Sequence, residues 1–317
     1  MVTARDRFLA TYRDGRRECA PPYEDLRGEI VEGWGGWDAL APLGLDRWHL
    51  TGPGTYDLAG TVGLGRVVDS PAAAEEWLAL NPPATEAAPL PCPVDPARAE
   101  PRGFDCYAGL LLTCGVEDGQ SLDALAIFLA DEPGLVESIM GRLAERHELL
   151  LRQARAQADF DYLHFSEPIA SHHGPVIGPA MFRRYVLPYY ARLIGVAREL
   201  EIPLVMWESW GQVELLLPLL VEVGVDIFCL RHSWGAGLDL RDVRRRLPEV
   251  GLLGGVDRRW LRLRPEEMAA ALGVVVPELL ASGRYVPMLD DRPRPDMDLA
   301  TFVAYRERLN ALLPPPA

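Results

Sequence analysis

The second half of the chain repeats one unit: a short apolar run followed by an amphipathic helix pattern. Four such units follow one another, with apolar runs at residues 203–208, 225–230, 251–256 and 285–289. A fifth run, at residues 160–165, lies between two further helix patterns. Each helix must return the chain to the same end of the sheet, so the strands pair in parallel through right-handed crossovers. The repeat therefore predicts a parallel α/β fold.

Polar residues at the strand ends distinguish a closed barrel from an open sheet. Nearly every predicted strand is followed by chemically reactive side chains, namely Glu167, Glu208, Trp210, Arg231, His232, Asp257, Arg258, Asp290, Asp291 and Arg292. In a barrel all strands contribute to one shared mouth, whereas an open sheet concentrates function at one crevice. The distribution predicts a single (β/α)8 TIM-type barrel domain over residues 1–317.

The first third of the chain is less regular, and we interpret residues 1–104 as an irregular N-terminal extension. It holds a predicted helix at residues 3–13 and glycine-rich loops that contain Trp34, Trp37 and Trp48. A loop at residues 81–101 contains seven prolines. The main βα repeats then occupy residues 105–312.

All 32 basic residues are arginines, and the chain contains no lysine. Without an ε-amino group there is no Schiff-base or pyridoxal-phosphate (PLP) chemistry and no P-loop nucleotide hydrolysis. No G-x-G-x-x-G follows a strand, so we expect neither NAD nor another nucleotide as cofactor. The formal charge of −14 argues against a nucleic-acid partner.

The chain has no apolar run of roughly 20 residues, so we expect no membrane segment. Its N-terminus lacks an apolar signal core, and its five cysteines include no C-x-x-C pair. We therefore expect a cytoplasmic protein with reduced thiols.

Several motifs in order resemble one family, the uroporphyrinogen decarboxylase (URO-D) superfamily, which includes corrinoid-linked methyltransferases. The motifs are G-P-V-I-G-P-A-M-F at 174–182, L-P-Y-Y at 187–190, A-G-L-D at 236–239, G-G-V-D at 254–257 and D-R-P-R-P-D at 291–296. The resemblance covers most of residues 105–312. It implies a TIM-type barrel, a small-molecule substrate and a homodimer.

Two departures from the family pattern indicate which branch of the family the chain resembles. The R-Q-A-G-R loop of true uroporphyrinogen decarboxylases is absent, so a role in heme synthesis is not expected. The zinc-binding His-x-Cys pair of the thiol methyltransferases is replaced by Glu208-Ser209-Trp210. The chain thus resembles the methyltransferase-like branch, without its thiolate zinc site.

A different zinc site is one interpretation of the strand ends. Zinc accepts carboxylate and imidazole ligands, and Glu208, His232, Glu167 and Asp290 are the candidates. A similar ligand set in the phenyl-methyl-ether demethylating branch of the family supports this interpretation. The alternative is that Glu208 pairs with an arginine such as Arg231 or Arg292.

The candidate catalytic and substrate-binding residues follow from the same strand ends. The candidate catalytic residues are Glu167, His172, His173, Glu208 and His232, with His172 or His173 moving a proton. The candidate substrate-binding residues are Trp34, Trp207, Trp210 and Trp234 as aromatic walls, and Arg231, Asp291 and Arg292 as polar groups.

Three functions remain open. The first is methyl transfer from a small methoxy or methylamine substrate to a corrinoid on a partner protein, or to another acceptor. The second is a metal-independent decarboxylase or lyase that acts on an anionic small molecule. The third is a non-catalytic binding barrel, in which replacing Glu208 and His232 leaves function intact.

Overall fold

The computed structural model describes residues 2–47, 56–57, 70–83, 99–106, 122–167, 169–231, 233, 235–294 and 296–314. Much of the proline-rich loop predicted at 81–101 lies outside these residues, as do Trp48, His232 and Trp234. The part of the chain that the structure describes contains no helix long and apolar enough to cross a membrane.

The described strands form one large parallel sheet and one small hairpin. In chain order they are β1 (Tyr56–Asp57), β2 (Gly103–Cys106), β3 (Tyr162–Ser166), β4 (Ala170–Ser171), β5 (Gly174–Pro175), β6 (Leu204–Trp210), β7 (Ile227–Arg231), β8 (Gly251–Val256) and β9 (Tyr285–Leu289). The sheet has the order β1-β2-β3-β6-β7-β8-β9, with every neighbouring pair parallel, and β4 and β5 pair antiparallel. Seven consecutive parallel strands connected by helices are the architecture of a (β/α) barrel.

Helices connect the strands, as the repeat predicts. The α-helices are α1 (Ala4–Tyr12), α2 (Gly28–Gly33), α3 (Pro71–Leu80), α4 (Leu122–Asp131), α5 (Pro133–Arg155), α6 (Pro179–Met181), α7 (Leu187–Glu199), α8 (Leu217–Val223), α9 (Leu240–Arg246), α10 (Pro265–Ser282) and α11 (Leu299–Asn310). Short 3-10 helices span Arg17–Cys19, Trp37–Leu43 and Arg258–Arg262.

The helical segment that follows β5 is interrupted. A π-helical turn, Phe182–Val186, separates α6 from α7. Pro188 has no N–H, and its ring would clash with the carbonyl four residues earlier in a regular α-helix. A π turn immediately before the proline relieves this conflict.

Side chains of the parallel strands alternate between two faces. Tyr162, Met206, Cys229 and Met288 belong to one compact cluster together with residues of α1 such as Phe8. The intervening strand residues pack in the larger cluster against the helices. The first cluster is therefore the barrel interior, and α1 covers the end of the barrel where the strands begin.

The segment around Glu24 lies beside the last strand and joins it to the C-terminal helix. The Glu24 carboxylate accepts the backbone N–H of Leu289 at 2.8 Å, at the end of β9. Its other oxygen accepts hydrogen bonds from Tyr305 at 2.9 Å and from Arg306 at 3.2 Å, both in α11. Glu24 and Arg306 are buried, so this ion pair is part of the core.

Candidate functional site

A buried histidine lies between two carboxylates of the neighbouring strands. His164 of β3 places Nδ1 at 3.2 Å from Asp105 Oδ1 and Nε2 at 3.3 Å from Glu208 Oε2. All three side chains are almost fully buried. Burial alone would lower the pKa of His164, but the two carboxylates outweigh it and raise the pKa to about 9. The two carboxylates thus favour the imidazolium form of His164.

Glu208 also binds Arg231, the last residue of β7. Arg231 Nε donates to Glu208 Oε1 at 2.8 Å. Burial would raise the pKa of Glu208, but Arg231 and His164 together hold it well below its ordinary value. Glu208 is thus a carboxylate fixed between two cations, and it does not act as a proton acceptor near neutral pH.

Asp25, from the N-terminal extension, joins Arg231 to Arg292. Arg231 Nη2 and Arg292 Nε both donate to Asp25 Oδ2, the latter at 2.6 Å. Arg292 Nη2 also lies 3.9 Å from Glu208 Oε1. The side chain of Arg292 is 17% exposed and that of Arg231 is 1% exposed, so Arg292 lies nearer to solvent.

These six side chains form a chain of alternating charge, which we call the mouth network. Its members, in contact order, are Asp105, His164, Glu208, Arg231, Asp25 and Arg292. With His164 protonated, three anions face three cations. Mutual pairing offsets part of the loss of hydration that each charge suffers on burial.

Trp210 and Asp290 also lie at the carboxyl ends of strands. Trp210 is partly exposed, pairs in register with Arg231, and alternates to the same face as Glu208. Asp290 is buried and accepts the backbone N–H of Arg258 at 3.2 Å. Asp291 lies 3.1 Å from the Arg258 guanidinium. The structure thus brings Glu208, Arg231 and Arg292 together, and Trp210 lies at the neighbouring strand end.

His172 and His173 form the exposed turn of the hairpin between β4 and β5. Their rings lie 4.0 Å apart, centroid to centroid. The hairpin is attached to the end of β6, because Gln212 N–H donates to the Ser171 carbonyl at 2.8 Å. Gly211 has φ +78°, and a Cβ there would lie 2.3 Å from the Ser171 oxygen. The two histidines therefore lie at the carboxyl end of the barrel.

Two predicted site residues lie on the helix side of the sheet instead of in the mouth. Trp207 is completely buried, and its Nε1 donates to the Tyr190 hydroxyl at 3.0 Å. The same hydroxyl donates to Glu167 Oε2 at 2.9 Å. Burial raises the pKa of Glu167 to about 8, although the bond from Tyr190 opposes this shift. Trp207 belongs to the outer cluster, and Glu167 follows Phe165 of the same cluster by two residues, so both side chains lie on the helix side of the sheet.

Trp34 packs against α11, where its ring stacks on Phe302 at 4.8 Å. Its Nε1 donates to the Met297 carbonyl at 2.8 Å. Trp34 thus fixes the segment that follows β9. His232 and Trp234 lie outside the described residues.

The described members of the predicted zinc site do not form a ligand set. Within the described ranges, no three His, Cys, Asp or Glu side chains lie close enough together to hold a metal ion. Glu208 is already engaged by Arg231 and His164, and Glu167 lies on the other face of the sheet. Of the two interpretations in the sequence, the arrangement fits the pairing of Glu208 with arginine.

Three members of the mouth network were not among the predicted site residues: Asp25, Asp105 and His164. His164 carries a sequence signal, since it is a polar residue within the apolar run at 160–165. Asp25 lies in the irregular N-terminal extension, and Asp105 lies in a strand that is not among the five predicted apolar runs. No local sequence pattern marks their contacts in the network.

Comparison with known proteins places the chain in a family. The family model for uroporphyrinogen decarboxylase (URO-D) matches residues 112–301, and the chain belongs to this family. The predicted TIM-type barrel is thereby confirmed as its fold. No curated protein sequence matches the chain.

A solved structure, a methyltransferase from Methanosarcina mazei, shares this fold. The TM-score is 0.60, and the match covers 98% of this chain and 99% of that one. The two sequences are 15% identical, so the similarity concerns the fold.

Proposed function

We propose that this protein is an enzyme that transfers a methyl group from a small molecule, bound in the barrel mouth, to an acceptor. The observation that carries this proposal is the mouth network at the carboxyl ends of the strands, where barrel enzymes hold their active sites. The methyltransferase whose structure matches nearly the whole chain supports methyl transfer as the reaction.

The residues of the mouth supply fixed charge and a source of protons. Arg231 and His164 hold Glu208 as an anion and are themselves held as cations. Trp210 offers an aromatic wall beside them. His172 and His173 are exposed at the same end of the barrel, and they are the proposed residues for moving a proton. We derive no step through a zinc ion, because the described residues do not fit one.

The proposed substrate is a methoxy or methylamine compound, and the proposed acceptor is a Co(I) corrinoid carried by a partner protein. The test uses substrates labelled with ¹³C in the methyl group, mixed with the protein and cob(I)alamin under anaerobic conditions. We expect a new methyl–cobalt signal by NMR that requires the protein. No signal across methoxyaromatics and methylamines, with a corrinoid protein as well as with cob(I)alamin, contradicts the proposal.

A second candidate, metal-independent decarboxylation of an anionic substrate, is favoured by one observation. Two arginines, Arg231 and Arg292, lie together in the mouth, while the described members of the predicted metal site do not converge there. Arginine forms strong, directional bonds with carboxylates. Release of ¹³CO2 from a carboxyl-labelled substrate, retained after exhaustive chelation, would support this candidate. Loss of release after chelation would exclude it.

A further inference from the structure

We propose that Arg231 is an oxyanion-binding residue, whose Nη1 receives an anionic oxygen of the substrate. The anionic oxygen is either part of a substrate carboxylate or the oxygen that remains when a methyl ether loses its methyl group. This inference rests on the proposed function for its chemistry. It adds an electrophile, built from the chain itself, to a mouth whose described residues form no zinc site.

The hydrogen bonds of Arg231 leave one of its three nitrogens for a ligand. Nε donates to Glu208 at 2.8 Å, and Nη2 donates to Asp25. Nη1 is buried and makes no hydrogen bond within the described part of the chain. A buried cationic N–H without an acceptor is unfavourable, and an oxyanion is the acceptor that best relieves it.

The two carboxylates hold the guanidinium in a fixed orientation. Glu208 is itself held by His164, and Asp25 by Arg292. Arg231 therefore does not have to be ordered when a ligand binds, which is the condition for electrostatic stabilisation of a developing charge. Its position as the last residue of β7, on the same face as Cys229, places it at the mouth end of the interior.

The permanent charge of arginine determines which leaving group suits the site. A guanidinium stabilises a negative oxygen but does not transfer its proton at neutral pH. A phenolate or a carboxylate leaves as an anion, whereas a neutral amine does not benefit from a nearby cation. The site therefore favours oxygen-linked methyl groups over methylamines.

The reaction step balances without a further reagent besides the methyl acceptor. A nucleophile of the Co(I) corrinoid or thiolate class attacks the methyl carbon, and a new bond forms between that carbon and the nucleophile. The carbon–oxygen bond breaks, and its electron pair stays on the oxygen. Arg231 Nη1 donates a hydrogen bond to the resulting oxyanion.

The neighbouring residues suit a flat, anionic ligand. Arg292 is the more exposed member of the arginine pair, so an anion that enters from solvent meets it before Arg231. Trp210, which pairs in register with Arg231, offers an aromatic surface at the same strand ends.

Equilibrium binding tests the proposal without any methyl transfer, so its failure is distinct from failure of the proposed function. The probes are benzoate for the carboxylate, 4-nitrophenolate for the leaving oxygen, and benzamide as the neutral isostere of benzoate. Isothermal titration calorimetry measures each affinity on the wild-type protein. We expect at least one anion to bind about tenfold or more tightly than benzamide.

Two variants localise the effect. Arg231→Gln should weaken binding of the anion by about 10- to 100-fold. The control is Arg241→Gln, at a partly exposed arginine of α9 that pairs with Asp239. The Arg241→Gln variant should bind the anions with the affinity of the wild type.

Tight binding of benzoate alone assigns the site to a substrate carboxylate, and tight binding of 4-nitrophenolate alone assigns it to the leaving oxygen. Three results overturn the proposal: benzamide binds as tightly as benzoate, neither anion binds, or a folded Arg231→Gln protein binds them unchanged. The comparison of benzoate with benzamide uses only the wild type, so it holds even where Arg231→Gln does not fold.

Discussion

Replacing Glu167 with glutamine should change how the stability of the protein depends on pH. The pKa of Glu167 is raised from 4.5 to about 8 in the folded protein. Folding therefore favours the protonated form, and the contribution of this group to stability is fully present below pH 4.5 and lost as pH rises to about 8. Between pH 5 and pH 9 the shift corresponds to about 4 kcal/mol of unfolding free energy.

Glutamine has nearly the same shape, can still accept the hydrogen bond from Tyr190, and does not ionise. The difference in unfolding free energy between Glu167→Gln and wild type should thus grow by about 4 kcal/mol from pH 5 to pH 9, in favour of the variant. Urea unfolding followed by circular dichroism, at five pH values, measures it.

A matched control is Glu222→Gln, at an exposed glutamate on α8 that pairs with Arg183 at the surface. The difference in unfolding free energy between Glu222→Gln and wild type should change by no more than about 0.5 kcal/mol from pH 5 to pH 9. If the difference in unfolding free energy between Glu167→Gln and wild type is equally independent of pH, Glu167 ionises freely in the folded protein. Burial then does not raise its pKa.

Three further predictions concern the core, the hairpin and the mouth. Arg306→Met leaves Glu24 buried without its cation and should cost about 3–5 kcal/mol in urea unfolding; a loss below about 1 kcal/mol contradicts the pairing. Gly211→Ala puts a Cβ 2.3 Å from the Ser171 oxygen at a φ of +78°, so we expect a loss of about 1–3 kcal/mol; an unchanged melting temperature speaks against the close approach. His164 should show the ring ¹⁵N shifts of an imidazolium at pH 7.5 and titrate near pH 9; neutral-imidazole shifts at pH 7.5 would show that its two carboxylates do not hold the charge.

The repeat of strand and helix predicted much of the fold. The runs at 251–256 and 285–289 coincide with β8 and β9, and the other three predicted strands differ from β3, β6 and β7 by one or two residues at each end. Hydrophobic period and strand length determine these elements locally, so the sequence contains the signal. The proximity of Glu208 and Arg231 also follows from the sequence, because the adjacent parallel strands that carry them end at the same edge of the sheet.

The faces of the strand-end residues were harder to predict. Glu167 and Trp207 were expected at the mouth, but a shift of one residue along a strand turns a side chain to the opposite face. The alternation of Tyr162 and His164 on one side and Phe165 on the other contained this information. The same alternation, followed along the whole of β3, places His164 on the interior face of the barrel.

Asp25 could not be predicted from its neighbourhood in the sequence. It lies 206 residues from Arg231 and 267 from Arg292. Its position depends on how the N-terminal segment packs beside β9, and no periodic pattern encodes that contact. Long-range ion pairs of this kind require the three-dimensional structure.

If the mouth network carries the reaction, methyl transfer requires its carboxylate Glu208. Methyl transfer is measured for the wild type and for Glu208→Gln with the same ¹³C-methyl substrates and cob(I)alamin. We expect transfer by the wild type and a loss of at least about 100-fold in the variant, because the neutral side chain no longer balances Arg231 and His164. Transfer by a folded Glu208→Gln protein at the wild-type rate would contradict it.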